Sequence, residues 1–256
     1  RGTVYATYAL EHPDKLAVVG VAEPRLHART SLVEAHAATV NHDLVFDSWE
    51  ALLARPRCAD AVAICTQDAM HVAPAVAAAA AGYHILLEKP MAVTPADCKA
   101  IVAAVKAAGV KLAVGHVLRY TPYMATLVRK LRAGAVGDVM HIQHLEPVGH
   151  WHFAHSYVRG NWRKEADASF MLMAKSCHDV DLLRYMMGRP ATGVSSFGAL
   201  THFRAASAPP GATDRCVTCP PAVETTCPYS AKRVYASRAA TGYTGWPLSV
   251  IVDGGA

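Results

Sequence analysis

Two short runs, A-V-A-I-C (61–65) and H-I-L-L (84–87), restrict the fold more than any other feature of this chain. Each is apolar at successive positions, so each reads as a strand covered on both faces. A helical segment follows each one. Strands covered on both faces and separated by helices imply a parallel sheet with helices packed over it.

The same alternation runs from residue 1 to about 118. L-A-V-V-G-V-A (16–22) reads as a strand, followed by a helix over 26–37. Residues 44–46 form a brief strand, and a short helix opens at Ser48, capped by Asp47 or Ser48. The spacing predicts a helix over 70–82 closing at Gly82. Another runs over 94–108, with Thr94 as N-cap, Pro95 at the first helical position, Asp97 in the first turn and Gly109 at the close. Residues 111–117 make the next strand. In such a sheet ligands sit beyond the carboxyl ends of the strands. I-L-L-E-K-P (85–90) places an acid, a base and a proline at one of those ends.

The pattern changes after residue 120. A helix is predicted over 122–133, closed by Gly134. Residues 138–148 alternate with period two, as a half-buried strand does. Residues 149–170 are aromatic, rich in histidine and loop-like. Residues 174–187 read as helix and 194–203 as strand. The Pro/Cys-rich stretch 205–229 has no clear period and reads as a surface excursion. The expectation is an N-terminal α/β domain over 1–118 and a C-terminal α+β domain over 119–256.

With 256 residues, 52% hydrophobic and 18% charged, the chain suits a packed globular protein and not a disordered one. The net charge of +5 is modest and no dense Lys/Arg run occurs, so the expected partners include neither nucleic acid nor a membrane surface. No apolar run reaches the roughly 18 residues of a membrane span. The chain opens at Arg1, not Met, and a missing front is expected. Of seven cysteines, Cys58, Cys65, Cys98 and Cys177 are scattered through periodic segments, which fits reduced thiols and a cytoplasmic location.

Several groups carry chemistry. Glu23 ends the strand 16–22, where an acid accepts hydrogen bonds from an adenosine ribose; the alternative is a solvated turn residue. Arg25, two residues on, suits a 2′-phosphate, so NAD and NADP both stay open, with NAD favoured. Arg1-Gly2 before a helix-like stretch is compatible with the tail of a Gly-rich phosphate loop. Thr66, Gln67 and His71 follow a strand end and either contact a cofactor or cap the next helix. Lys89 at its strand end can donate to a substrate hydroxyl and help move its proton, with Glu88 paired to it or near the nicotinamide ribose. The alternative is a surface ion pair. Pro90 restricts Lys89 to extended backbone.

His178 shares a helix face with Leu182, Tyr185 and Met186, with Lys175 three residues before it and Asp181 three after. It is either a proton shuttle or a core histidine bonded to Asp181. Trp162-Arg163 either cover a cofactor or pack locally. Cys216, Cys219 and Cys227 (C-x-x-C-x₇-C) match half of a zinc site, with an iron–sulfur cluster, reduced thiols and surface disulfides as alternatives. No fourth ligand is evident, and no metal site is assigned.

Glu23, E-K-P at that strand end, Trp162-Arg163 and H-x-x-D (His178, Asp181), in this order, resemble the glucose–fructose oxidoreductase/inositol dehydrogenase (Gfo/Idh/MocA) family. G-H-V-L-R-Y-T-P (115–122), H-F-A-H-S-Y-V-R-G-N-W-R (152–163) and A-K-S-C-H-D (174–179) are similar to a subgroup with a Cys-rich insertion. The resemblance implies an N-terminal Rossmann-type domain binding NAD(P) and a C-terminal domain on a mostly antiparallel sheet that mediates a homo-oligomer. It implies hydride transfer between nicotinamide and a sugar, cyclitol or related polyol. Lys89 and His178 match the family's lysine and histidine, but the family's aspartate four residues before the histidine is Ala174 here. Lys175 beside it is a candidate substitute. Arg119, His150, His152, His155 and Tyr157 are expected at the polyol. The resemblance also implies a phosphate loop incomplete at the front and sheet strands missing at the C-terminus. The competing expectations are a glycosidase- or epimerase-like enzyme that uses tightly bound NAD without net turnover, and an inactive dinucleotide-binding sensor.

Overall fold

The structure, a computed structural model, describes residues 1–250. The first half alternates helix and strand: α1 (Gly2–Glu11), β1 (Val21–Ala22), α2 (Leu26–Ala35), β2 (Val45–Phe46), α3 (Trp49–Leu53), β3 (Ala61–Ile64), α4 (Val72–Ala80), β4 (His84–Leu87), α5 (Pro95–Ala108) and β5 (Leu112–Val114). All pairings are parallel, in two ladders: β1 with β2, and β3-β4-β5 with β4 central. The strands are shorter than the apolar runs. Only Val21–Ala22 of 16–22 is laddered, and 111–117 gives Leu112–Val114 followed by a tight turn, Val117–Tyr120.

The expectation of strands covered on both faces holds least for β3, whose Ala61 and Ala63 are exposed because it lies at the edge of its ladder. In β4, Ile85 and Leu87 are buried while His84 and Leu86 are half-buried.

Local signals explain the helices. Thr94 Oγ1 accepts from Asp97 N at 3.1 Å, Pro95 opens α5, and Gly109 ends it in the left-handed region at φ 65°. Ser48, not Asp47, caps α3. Ala75, Ala78 and Ala79 of α4 have no exposed surface, and their spacing puts them on one face. Small side chains there let α4 approach α5 and β4 closely. With Tyr83, Ile85, Leu87, Ile101 and Val105 they form the main core. Tyr83 is fully buried, and its hydroxyl accepts from Cys58 N at 3.1 Å.

The second half contains α6 (Pro122–Arg132), α7 (His150–Phe153) running into a wide π-type turn (Ala154–Arg159), α8 (Met171–Ala174), α9 (Cys177–Met187), α10 (Pro221–Glu224) and α11 (Ser237–Ala240). Met124, Val128 and Leu182 form a second small core between α6 and α9. Three expectations fail here. Among the described residues no strand follows Val114, and 138–148 and 194–203 are irregular chain without a ladder. Period-two alternation selects a face, but a strand also needs a partner for its backbone groups. Residues 149–170 are not loop throughout, since α7 and the π-type turn lie within them. The helix expected over 174–187 is parted at Lys175-Ser176. Among the described residues no helix is long and apolar enough to cross a membrane.

Candidate active site

Register aligns the ends of the central ladder. Ile64 pairs with Leu87 and Leu87 with Val114; Glu88 N then donates to Ile64 O (2.9 Å) and Gly115 N to Leu87 O (2.7 Å). Cys65-Thr66, Glu88-Lys89 and Gly115-His116 therefore leave the sheet side by side. Gly115 has to be glycine, because a Cβ there would lie 2.9 Å from the Tyr5 hydroxyl and 3.4 Å from Glu88 Cα.

Glu88 is buried, and one carboxylate oxygen accepts from Tyr5 OH at 2.6 Å while the other accepts from Lys89 N at 3.0 Å. It bonds to its neighbour's backbone, not to the Lys89 ammonium. Burial, then the Glu88 bond, pushes the Tyr5 hydroxyl well above its usual range. The Lys89–Pro90 peptide is cis. Lys89 Nζ donates to Ala174 O at 2.6 Å, across 85 residues of sequence. Ala174 ends α8, and its carbonyl is one of those a helix terminus leaves without an intrahelical partner. The break between α8 and α9 thus provides the lysine's acceptor.

His178 sits four residues beyond that acceptor. Its Nδ1 is buried without a hydrogen bond. Burial first, then the Lys89 cation, pushes its pKa down to about 4. At neutral pH the imidazole is uncharged beside an ammonium. The Lys175 ammonium instead reaches Glu146 at 3.1 Å.

Other expected residues divide into those near this centre and those used elsewhere. Glu23 continues the β1–β2 ladder, its N donating to Phe46 O. Its carboxylate accepts from Arg25 N (2.9 Å), Nε (2.9 Å) and Nη2 (3.2 Å), and its carbonyl from Arg29. Burial raises the Glu23 pKa, but the Arg25 bonds outweigh it and hold the group below its usual value. Trp162 Nε1 donates to the buried Asp68 carboxylate at 2.9 Å, a second tie across the chain's two halves. Tyr157 is half-buried near Asp68 and Cys177, its pKa pushed up to about 12 by burial first.

His71, expected at the cofactor, is fully buried with Nδ1 2.8 Å from Pro90 O and Nε2 3.2 Å from Thr66 O. It braces the loops after β3 and β4 against each other. Thr66 Oγ1 bonds Met70 O in its own turn, and Gln67 precedes that turn without capping it by its side chain. Arg163 is exposed and bonds Gly160 O. Arg119, expected at the substrate, forms a two-pronged pair with Asp181 (2.6 Å each) and lies over the Tyr185 ring. His152 and His155 lie against Trp246, each 4.9 Å between ring centroids, and His155 Nδ1 is 2.9 Å from Tyr235 OH. His150 meets Tyr229.

Sequence reasoning missed Tyr5, Asp68 and His116. His116 carried a usable signal, since it follows the end of a parallel strand, where ligand-facing groups gather. His144, Glu146 and Asp179 bring one potential ligand atom each within 4.8 Å of one another. Cys216, Cys219 and Cys227 form no such group among the described residues, and all seven cysteines are free.

A family profile described as "Oxidoreductase family, NAD-binding Rossmann fold" matches residues 2–116, and one described as "GFO/IDH/MocA C-terminal domain" matches 124–225. Inositol 2-dehydrogenase 1 of Saccharopolyspora erythraea is 30% identical over 174 residues, 68% of this chain and 48% of that protein. 2,7-Anhydro-N-acetylneuraminate hydratase of Escherichia coli is 26% identical over 151 residues, 59% of this chain and 40% of that one. The chain thus spans under half the length of either relative. Among solved structures, the WlbA dehydrogenase of Bordetella pertussis, in complex with NADH and UDP-GlcNAcA, superposes with a TM-score of 0.59 at 25% identity, covering 72% of this chain and 54% of that one.

Proposed function

The chain belongs to the GFO/IDH/MocA oxidoreductase family, and from that premise we propose that it acts as an NAD-dependent oxidoreductase on a sugar, cyclitol or related polyol. The observation that carries this reading is the meeting of Lys89 and the neutral His178 beside the aligned ends of β3, β4 and β5.

The residues fit a dinucleotide. Glu23 presents a carboxylate at the end of β1, and its three bonds from Arg25 leave one lone-pair direction for a ribose hydroxyl. The first turn of α1, which contacts β3, offers backbone N–H groups suited to a pyrophosphate. A carboxylate in the ribose position favours NAD over NADP. When bound, the nicotinamide supplies the hydride chemistry. The chain's own residues orient the carbinol and hold its proton. Lys89 donates to the hydroxyl oxygen, and His178, uncharged at neutral pH, accepts the proton. Tyr157, His152 and His155 are read as polyol-recognition residues, and Lys175 as the candidate substitute for the family's aspartate at Ala174.

The domain boundary belongs at 118/119. The segments 138–148 and 194–203 read as strands of a mostly antiparallel sheet that mediates a homo-oligomer. The support is the alternation of 138–148 and the exposure of Met140, Leu145, Val194 and Phe197. The free cysteines support a cytoplasmic location.

Titration with NADH and NADPH, followed by fluorescence, is expected to show tighter NADH binding, weakened about tenfold by Glu23→Ala, the scale of one or two hydrogen bonds. A panel of sugars and inositols with NAD should raise absorbance at 340 nm. A protein that binds neither dinucleotide ends this reading. The Escherichia coli relative bears the name of a hydratase, which favours one second reading: turnover at the same residues with no net change at 340 nm.

A further inference from the structure

His116 leaves the sheet beside Lys89, and its ring meets His178 edge to face, centroids 5.7 Å apart at 82°. Nδ1 of each ring is buried and without a hydrogen bond, so no bond to that atom sets the orientation of either imidazole. His116 Nδ1 also lies 4.0 Å from Asp181 Oδ2, a carboxylate held rigid by Arg119. His116 therefore faces both the His178 ring and a carboxylate, with the Lys89 cation acting on both imidazoles. Ala174 contributes only its carbonyl, which the lysine already occupies.

We propose that His116 is a positioning residue for proton transfer: it holds His178 edge-on, and the two imidazoles act as one dyad that holds a single proton in the field of Lys89 and Asp181. The proposal rests on the oxidoreductase reading. In the forward direction the carbinol C–H bond breaks with its electron pair passing to the oxidised dinucleotide. The O–H bond breaks with its proton passing to His178, leaving a carbonyl compound and a reduced dinucleotide. Asp181 then faces a dyad bearing one positive charge. Two charges on the dyad are opposed by their proximity, so the rings titrate as a coupled pair.

The surroundings of both rings are defined. Lys89, His116 and Lys175 oppose protonation of His178, and Glu88 favours it. At His116, burial is the largest influence and lowers its pKa; Asp181 and Glu88 oppose that shift while Arg119 and Lys89 add to it.

The test needs no substrate. Protein labelled with ¹³C-histidine is titrated by NMR, following the ring Cε1–H signals, as wild type and as His116→Phe, which keeps a ring at the position but cannot bear a proton. Removing the like-charging neighbour should move the His178 titration upward by about half a unit and simplify it to one step. The acid limb of the rate profile should move the same way. His116→Gln, which keeps a polar group, serves if the Phe variant does not fold. An unchanged His178 titration in the folded variant overturns the dyad. Failure to bind dinucleotide with the NMR coupling intact would sink the oxidoreductase reading and leave the pair standing.

Discussion

Lys89 reaches the Ala174 carbonyl because one strand end and one broken helix face each other, and this brings its cation within electrostatic reach of His178. Lys89→Met keeps the length of the stem and removes every donor. Turnover should fall about 10²–10⁴-fold, the usual scale for a proton-transfer residue, while NADH fluorescence titration shows near-native binding. Equal losses in both would place Lys89 at the cofactor instead. His178 also makes a pH prediction. Its pKa falls from 6.5 in the free side chain to about 4 in the folded protein. Between those values the unfolded chain binds a proton that the folded chain does not, so stability declines as pH falls through that window and is flat above it. Urea unfolding at several pH values should show that slope, to which the lowered His116, His152 and His155 add, and His178→Leu should make it shallower. The sequence showed E-K-P and H-x-x-D as separate signals. It did not show that Ala174 lends a carbonyl, because a helix break at Lys175-Ser176 has no glycine or proline to announce it.

At the scale of elements, the parallel strands and capped helices of the first half were legible because their cues are local. Thr94-Pro95-Ala96-Asp97 and Gly109 mark α5 whatever surrounds them. Arg119 shows what local cues miss. Its partner Asp181 is 62 residues away, and the pair ties the turn Val117–Tyr120 to α9. Arg119→Ala should cost about 1–3 kcal/mol, nearer the lower figure because a third of the arginine side chain is exposed. Thermal unfolding measures this. Turnover should fall further than cofactor binding, since α9 carries His178.

For the whole molecule, the uneven legibility of the two halves has a physical cause. The first half is built from crossovers between sequence neighbours. The segments 138–148 and 194–203 form no ladder among the described residues, and Met140, Val194 and Phe197 are 86%, 86% and 97% exposed. Apolar surface of that kind favours association. Light scattering on this 256-residue chain should show self-association that rises with concentration and weakens in Val194→Lys/Phe197→Lys. A monomer unaffected by those changes would remove the oligomer proposal. The two halves are joined by Trp162 on Asp68 and by Lys89 on a main-chain carbonyl. An ammonium has three protons and that carbonyl takes one. Under the proposed function, the remaining two N–H groups stay available to donate hydrogen bonds to an arriving guest without releasing the wall behind it. The anchor point is a main-chain atom, so the bond itself depends on no particular side chain at position 174.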